Sequence, residues 1–132
     1  MFLSELNIGE RKNFLELAHY SMGLNGEHKD VESMVFNSFV HECDLTGYTL
    51  QKQDKIDSIV KVLSKSSDKH KKILLIELYG ILLADGEVCM SESEFMQYLA
   101  NAFGFGQSEV DELQSWVEQM NSLVEKGYEL LN

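Results

Sequence analysis

Apolar residues recur at three- and four-residue spacing along most of this chain of 132 residues. This spacing is typical of helices that bury one face. The predicted helices are about Glu10–Leu24, Asp30–Cys43, Leu50–Ser64, Asp68–Ala84, Ser91–Phe103 and Ser108–Leu130, after a short leading helix within Met1–Gly9. No segment shows the sustained alternation of apolar and polar residues that is typical of a half-exposed strand. We therefore predict an all-α fold, a bundle of about six to seven helices in a single domain over residues 1–132.

The fourth predicted helix is apolar around nearly its whole circumference. Its apolar residues are Ile73, Leu74, Leu75, Ile76, Leu78, Tyr79, Ile81, Leu82 and Leu83. A helix that is apolar on all sides is buried on all sides, so residues 73–84 should form the centre of the core. Gly80 costs such a helix about 1 kcal/mol relative to alanine. We expect it to allow a neighbouring helix to approach closely, and the alternative is that the helix simply tolerates it. Glu77 should reach solvent or pair with a lysine.

The last two predicted helices begin with a recognisable signal. Ser91 followed by Glu94, and Ser108 followed by Asp111, have the spacing of capping boxes, which satisfy the free N–H groups of a helix start. On the last helix, the residues expected to face inward are Val110, Leu113, Val117, Met120, Val124 and Leu131. Trp116 and Tyr128 should lie at the margins of that face.

Two parts of the chain look alike at an offset of 60 residues, from Glu27 to Glu87. Residues 22–27 align with residues 82–87, and each copy is predicted to be a helix, a turn and a second helix. We interpret them as two degenerate helix–turn–helix repeats around the buried helix 73–84, with one further helix between the copies. Because Asx and Gly residues are common at helix ends, coincidence also explains the match.

The second copy resembles the TerB family of tellurite-resistance proteins and the related N-terminal regions of DjlA-type co-chaperones. The family pattern is an apolar helix, then Ala-Asp-Gly-Glu-Val, a short acidic gap, Phe or Ile, and Leu. The matching residues here are Ala84, Asp85, Gly86, Glu87, Val88, Glu92, Glu94, Phe95 and Leu99. The resemblance extends over about residues 14–123, although Asn25 replaces the aspartate in the first copy. It implies an all-helical module that acts in bacterial stress and tellurite-resistance systems through partner proteins and acidic, metal-binding turns.

Four carboxylates follow the end of the central helix, namely Asp85, Glu87, Glu92 and Glu94. Hard cations such as Ca²⁺ and Mg²⁺ prefer clustered oxygen ligands, and calcium usually takes about six or more. We therefore predict a weak divalent-cation site at the Asp85-Gly86-Glu87 turn, with Asn25 and Glu27 as candidate helpers. The alternative is that Asp85-Gly86 only ends a helix and that the later acids only favour the dipole of the next helix.

The net charge of −11 argues against general binding of nucleic acid, since phosphate is repelled by an acidic surface. The charge is uneven, because residues 51–72 contain seven lysines against three aspartates, a balance of +4 that leaves −15 for the remainder. The candidate interaction residues on this basic strip are Lys52, Lys55, Lys61, Lys65 and Lys69. An acidic body with a basic strip suits a cation, a basic partner or contact between copies, whereas the simplest interpretation is a solvated helix face.

The two cysteines, Cys43 and Cys89, lie far apart and form no CxxC motif. The first residues lack a basic leader with an apolar run, and no apolar stretch reaches the roughly 18 residues that span a membrane. We therefore expect reduced thiols, a cytoplasmic location and no membrane insertion.

The sequence contains no HExxH motif, phosphate loop or nucleophile elbow, so we expect no enzyme activity. The leading hypothesis is a non-enzymatic TerB-like protein-interaction module with an unknown partner, a weak cation site and otherwise no cofactor. One alternative is a metal-assisted hydrolase that uses the same carboxylates. The other is a purely structural oligomeric bundle, for example a homodimer in which the basic strip of one copy contacts the acidic face of another.

Overall fold

The computed structural model describes residues 1–24 and 30–132, and this part of the chain forms six α-helices and no strand. The helices are α1 (Ile8–Met22), α2 (Asp30–Glu42), α3 (Ile56–Leu63), α4 (Asp68–Leu82), α5 (Met90–Phe103) and α6 (Gln107–Leu131), after a short 3-10 turn at Leu3–Glu5. The prediction of an all-α helical bundle is confirmed. No helix in the described ranges combines the length and the apolar character needed to cross a membrane. The first repeat turn, at residues 25–27, lies outside the described residues.

The centre of the bundle is α4, which packs against α1, α2, α5, α6 and the N-terminal 3-10 turn. Its consecutive residues Ile73, Leu74 and Leu75 are all buried, and neighbouring residues on a helix point about 100° apart, so burial extends around most of the circumference. The prediction that residues 73–84 form the buried centre is therefore confirmed for most of the segment. Only Ile76, Gly80 and Ala84 are partly exposed.

Glu77 is buried, contrary to the expectation that it reaches solvent or a lysine. Its Oε2 accepts a hydrogen bond from the α-ammonium group of Met1 at 3.1 Å, and the same group donates to Glu42 Oε1 at 2.6 Å. Burial raises the pKa of Glu77, although the nearby ammonium group opposes this shift. The first residues of the chain are thus attached to α2 and α4 by charge.

The third helix is shorter than predicted, because α3 begins at Ile56 rather than at Leu50. The backbone N–H groups of Gln51 and Lys52 donate to the carboxylate of Glu16 on α1, at 2.9 Å and 3.0 Å. The preceding chain is attached to the same carboxylate, since the Tyr48 hydroxyl donates to Glu16 Oε2 at 2.6 Å. These contacts hold residues 48–53 against α1 as an irregular segment.

The starts of α5 and α6 are predicted to within one residue, but each helix is capped by its own glutamate and not by the predicted serine. The backbone N–H of Cys89 donates to Glu92 Oε1 at 2.9 Å, and that of Gly106 donates to Glu109 Oε1 at 3.2 Å. A glutamate that reaches back over three residues satisfies the N–H group of the helix start, even without a serine there. The predicted serine caps at 91 and 108 lie inside the helices instead.

Candidate functional site

The predicted cation site begins at the exposed turn after α4. Asp85 Oδ1 accepts a hydrogen bond from the backbone N–H of Glu87 at 3.1 Å, and both side chains are exposed. Gly86 between them has a φ of +93°, a left-handed conformation that favours glycine. This geometry is that of a helix stop, and it places two of the four predicted ligands at the surface.

The other two predicted ligands lie apart from each other on α5. Glu92 is buried and its Oε1 caps Cys89, whereas Glu94 is exposed, because residues two apart on a helix do not face each other. Across residues 1–24 and 30–132, no group of three or more His, Cys, Asp or Glu side chains is arranged to hold a metal ion. The candidate helpers Asn25 and Glu27 lie outside the described residues. The cation site stays a prediction, which calorimetric titration with Ca²⁺ or Mg²⁺ would test.

The predicted basic strip is a set of exposed side chains along the segment before α3, α3 itself and the start of α4. Its five lysines are Lys52, Lys55, Lys61, Lys65 and Lys69, and all are exposed. Lys69 Nζ pairs with Glu5 Oε1 at 2.6 Å. By contrast, Lys71 lies against the body, where its Nζ donates to the carbonyl of Phe103 at 2.9 Å. The strip is therefore accessible, and its role in binding stays a prediction.

A groove of about 620 Å³ lies on a different part of the surface, between α2, the end of α4 and α6. Its apolar lining consists of Val31, Val35, Leu83, Val124 and Tyr128. Gly80 of α4 and Ala84 in the turn after it also line the groove, and they add little side chain to its wall. We call this feature the α2/α4/α6 groove. Five of its thirteen lining residues are polar or charged, so the groove combines apolar walls with nearly as much polar surface.

The apolar wall from α6 belongs to a stripe with a seven-residue repeat, formed by Val110, Val117, Val124 and Leu131. The exposed fractions along this stripe are 4%, 0%, 52% and 81%. Over the two heptads from Val117 to Leu131 the stripe rotates around the helix by only about 40°. The rotation alone is therefore too small to explain why its second half is exposed. The expectation that Val124 and Leu131 face inward is therefore wrong, because no neighbouring helix packs closely enough to cover them. Tyr128, expected at the margin, is exposed beside them.

Acidic side chains surround the groove. Asp85, Glu118 and Glu125 contribute to its lining. Residues 107–131 of α6 carry six carboxylates against one lysine, and residues 30–42 of α2 carry three carboxylates with no lysine or arginine. Burial, followed by the charges of Asp111 and Glu118, raises the pKa of Tyr79 to about 12. Asp111 and Glu118 of α6 therefore lie close enough to α4 to act on Tyr79, although Tyr79 does not line the groove.

Gly80 has a different role from the one expected. A Cβ atom built at this position would have Phe39 Cζ as its nearest neighbour, at 4.0 Å, which is an ordinary van der Waals contact. The expectation that Gly80 allows a close helix approach is therefore wrong. Its missing side chain instead leaves space at the floor of the α2/α4/α6 groove.

A second cavity, of about 690 Å³, lies between α1, α3 and α5 beside the aromatic rings of Tyr20, Phe95 and Tyr98. Its charged lining has both signs, since Lys55 lies there with three acidic residues, Asp54, Asp57 and Glu94. Asp57 Oδ1 already accepts a hydrogen bond from the Tyr98 hydroxyl at 2.8 Å. This cavity is larger than the α2/α4/α6 groove but less uniform in charge, so the groove is the better candidate for binding a charged partner.

Sequence patterns gave no sign of the role of Glu16, which is the most hydrogen-bonded carboxylate described above. It is fully buried on α1, and the side-chain amide of Gln53 adds a fourth donor at 2.8 Å. Burial would raise the pKa of Glu16, but the bonds from Tyr48, Gln51, Gln53 and Lys52 outweigh it and lower the pKa. The sequence around a helical glutamate does not indicate hydrogen-bond partners that lie more than thirty residues away. Only the folded structure identifies the role of Glu16.

No protein-family model, curated protein or solved structure matches this chain. The resemblance to the TerB family stays a prediction that rests on the residues around the turn at Asp85.

Proposed function

We propose that this chain is a non-catalytic helical module that binds a partner protein in the α2/α4/α6 groove. The observation that carries the proposal is the stripe on α6, which is buried at Val117 and half exposed at Val124, where it becomes a wall of the groove. Exposed apolar surface rimmed by polar groups is characteristic of interaction sites. The proposal agrees with the partner-binding role that the TerB resemblance implies.

The shape of the groove favours an α-helix as the bound segment. Its α6 wall extends from Glu118 to Tyr128, ten residues or about 15 Å along the helix axis. The opposite wall comes from another helix, with Val31 and Val35 one turn apart on α2. A groove between two helices is the usual receptor for an amphipathic helix, whose apolar face replaces the contact that a further helix of the bundle would make.

The test is a titration of the chain with amphipathic helical peptides of either charge, followed by backbone amide chemical shifts. We expect at least one peptide to bind, with its largest shifts at Val35, Leu83 and Tyr128. Shifts confined to the basic strip or to the α1/α3/α5 cavity, or no binding by any peptide, would contradict the proposal. The matched variants are Val124→Asn, which alters the groove, and Leu123→Asn, which changes an exposed residue on a different face of α6.

A further inference from the structure

We infer that the occupant of the α2/α4/α6 groove is a basic amphipathic helix with a bulky apolar side chain that lies over Gly80. This inference rests on the proposed function and adds the chemistry of the partner. Two independent features support it, namely the charge around the groove and the space at its floor.

The charge around the groove is one-sided. Its lining includes Asp85, Glu118 and Glu125 and no lysine or arginine among the residues described. The second half of α6, which forms this wall, is acidic as a whole, with three glutamates in residues 118–131 against one lysine. The lysines of the chain are concentrated in residues 51–72, which do not line this groove. Lysine or arginine on the solvent-facing edges of a bound helix would therefore meet complementary charge.

An acidic or neutral helix would bind less well at the same apolar surface. Like charges that face each other across an interface are unfavourable, and they select against the wrong partner. The same argument disfavours an anionic lipid surface, which would approach these carboxylates with its own negative charge. The groove thus distinguishes a basic peptide from a negatively charged membrane.

The floor of the groove indicates where the partner's anchor, its main buried apolar side chain, binds. Gly80 is the point at which α4, otherwise covered by large apolar side chains, presents bare backbone to the groove. Leu83 and Val124 lie around this point as apolar walls. A leucine or phenylalanine of the partner would fill this space and bury its side chain against three helices, as interface anchors typically do.

The experiment uses two designed peptides of about 15 residues, each with leucines on one face. One peptide carries lysines on the other face and its match carries glutamates, and calorimetry measures both at low salt and at higher salt. We expect the Leu/Lys peptide to bind at least about tenfold more tightly than the Leu/Glu peptide, and to weaken as salt rises. The double variant Glu118→Gln with Glu125→Gln should weaken the Leu/Lys peptide by about fivefold and leave the helical content unchanged.

The anchor is tested separately with Gly80. Gly80→Leu should abolish binding of the Leu/Lys peptide, and Gly80→Ala should weaken it less, with the helical circular dichroism signal as the control for folding. If Gly80→Leu reduces the helical signal, the milder Gly80→Ala variant still tests the anchor. Undiminished binding by a folded Gly80 variant would overturn the assignment of the anchor.

The outcomes separate this inference from the proposed function. Equal or tighter groove binding by the Leu/Glu peptide would overturn the basic partner and leave the proposed function standing. Failure of both peptides to bind would overturn both. Binding to phosphatidylserine vesicles in place of the Leu/Lys peptide would also overturn the inference, because the surface would then recognise a membrane.

Discussion

The two halves of α6 carry the same apolar repeat and have opposite environments. Val110 and Val117 are buried against the bundle, whereas Val124 and Leu131, one and two heptads later, are 52% and 81% exposed. The first half therefore behaves as a core helix, and the second half presents one wall of a groove with an acidic rim. Apolar periodicity indicates which face of a helix avoids water, and the length of the neighbouring elements decides whether the protein itself covers that face.

The largest expected effect is a difference between identical substitutions one heptad apart. Val117→Asn places an amide in the core, where it lacks partners, and should lower the free energy of unfolding by about 3 kcal/mol. Val124→Asn changes a half-exposed position and should alter it by less than about 0.5 kcal/mol. Urea denaturation measures both. Equal destabilisation by the two variants would mean that the second half of α6 is part of the core.

The buried part of the bundle is stabilised by hydrogen bonds to a buried carboxylate as well as by apolar packing. Glu16→Gln removes the charge that accepts hydrogen bonds from Tyr48, Gln51, Lys52 and Gln53. We expect the free energy of unfolding to fall by about 2 kcal/mol at neutral pH, because Gln offers only one acceptor oxygen and its NH₂ group faces donors. Denaturation of both proteins at pH 7 gives the difference, and an unchanged stability would show that residues 48–53 do not depend on this carboxylate.

The same carboxylate predicts a pH dependence. The pKa of Glu16 is lower in the folded chain than its usual value, so the unfolded chain binds protons more readily. The stabilisation is therefore complete above the usual pKa of glutamate, about 4.3, and is lost as pH falls through the lowered folded value. The stability difference between the wild type and Glu16→Gln should shrink as urea denaturation is repeated from neutral to acidic pH. A constant difference would contradict the lowered pKa.

The smallest expected effect on stability is a gain. Gly80→Ala should raise the free energy of unfolding by about 0.5–1 kcal/mol, since alanine is a better helix former and its Cβ finds only ordinary contact with Phe39. Thermal denaturation measures the gain. A loss of stability in Gly80→Ala would show that the groove floor has no room for a methyl group.

The features that sequence patterns predicted are those set by local spacing. The all-α fold and the buried α4 follow from apolar residues at helical positions, which do not depend on distant partners. The late start of α3 at Ile56 could not be predicted, because Glu16, more than thirty residues away, accepts hydrogen bonds from the N–H groups of the segment before it. Likewise, the exposure of Val124 depends on where α2 begins and α4 ends, and no periodicity in α6 contains that information.

The most direct test of the account is the affinity of the Leu/Lys peptide for three proteins, namely the wild type, Val124→Asn and Leu123→Asn. Both changed residues are exposed neighbours on α6, but only Val124 lines the groove. We predict that Val124→Asn weakens binding by at least about tenfold and that Leu123→Asn changes it by less than about twofold, as measured by calorimetry. Equal effects of the two substitutions, or no effect of either, would contradict the α2/α4/α6 groove as the binding site.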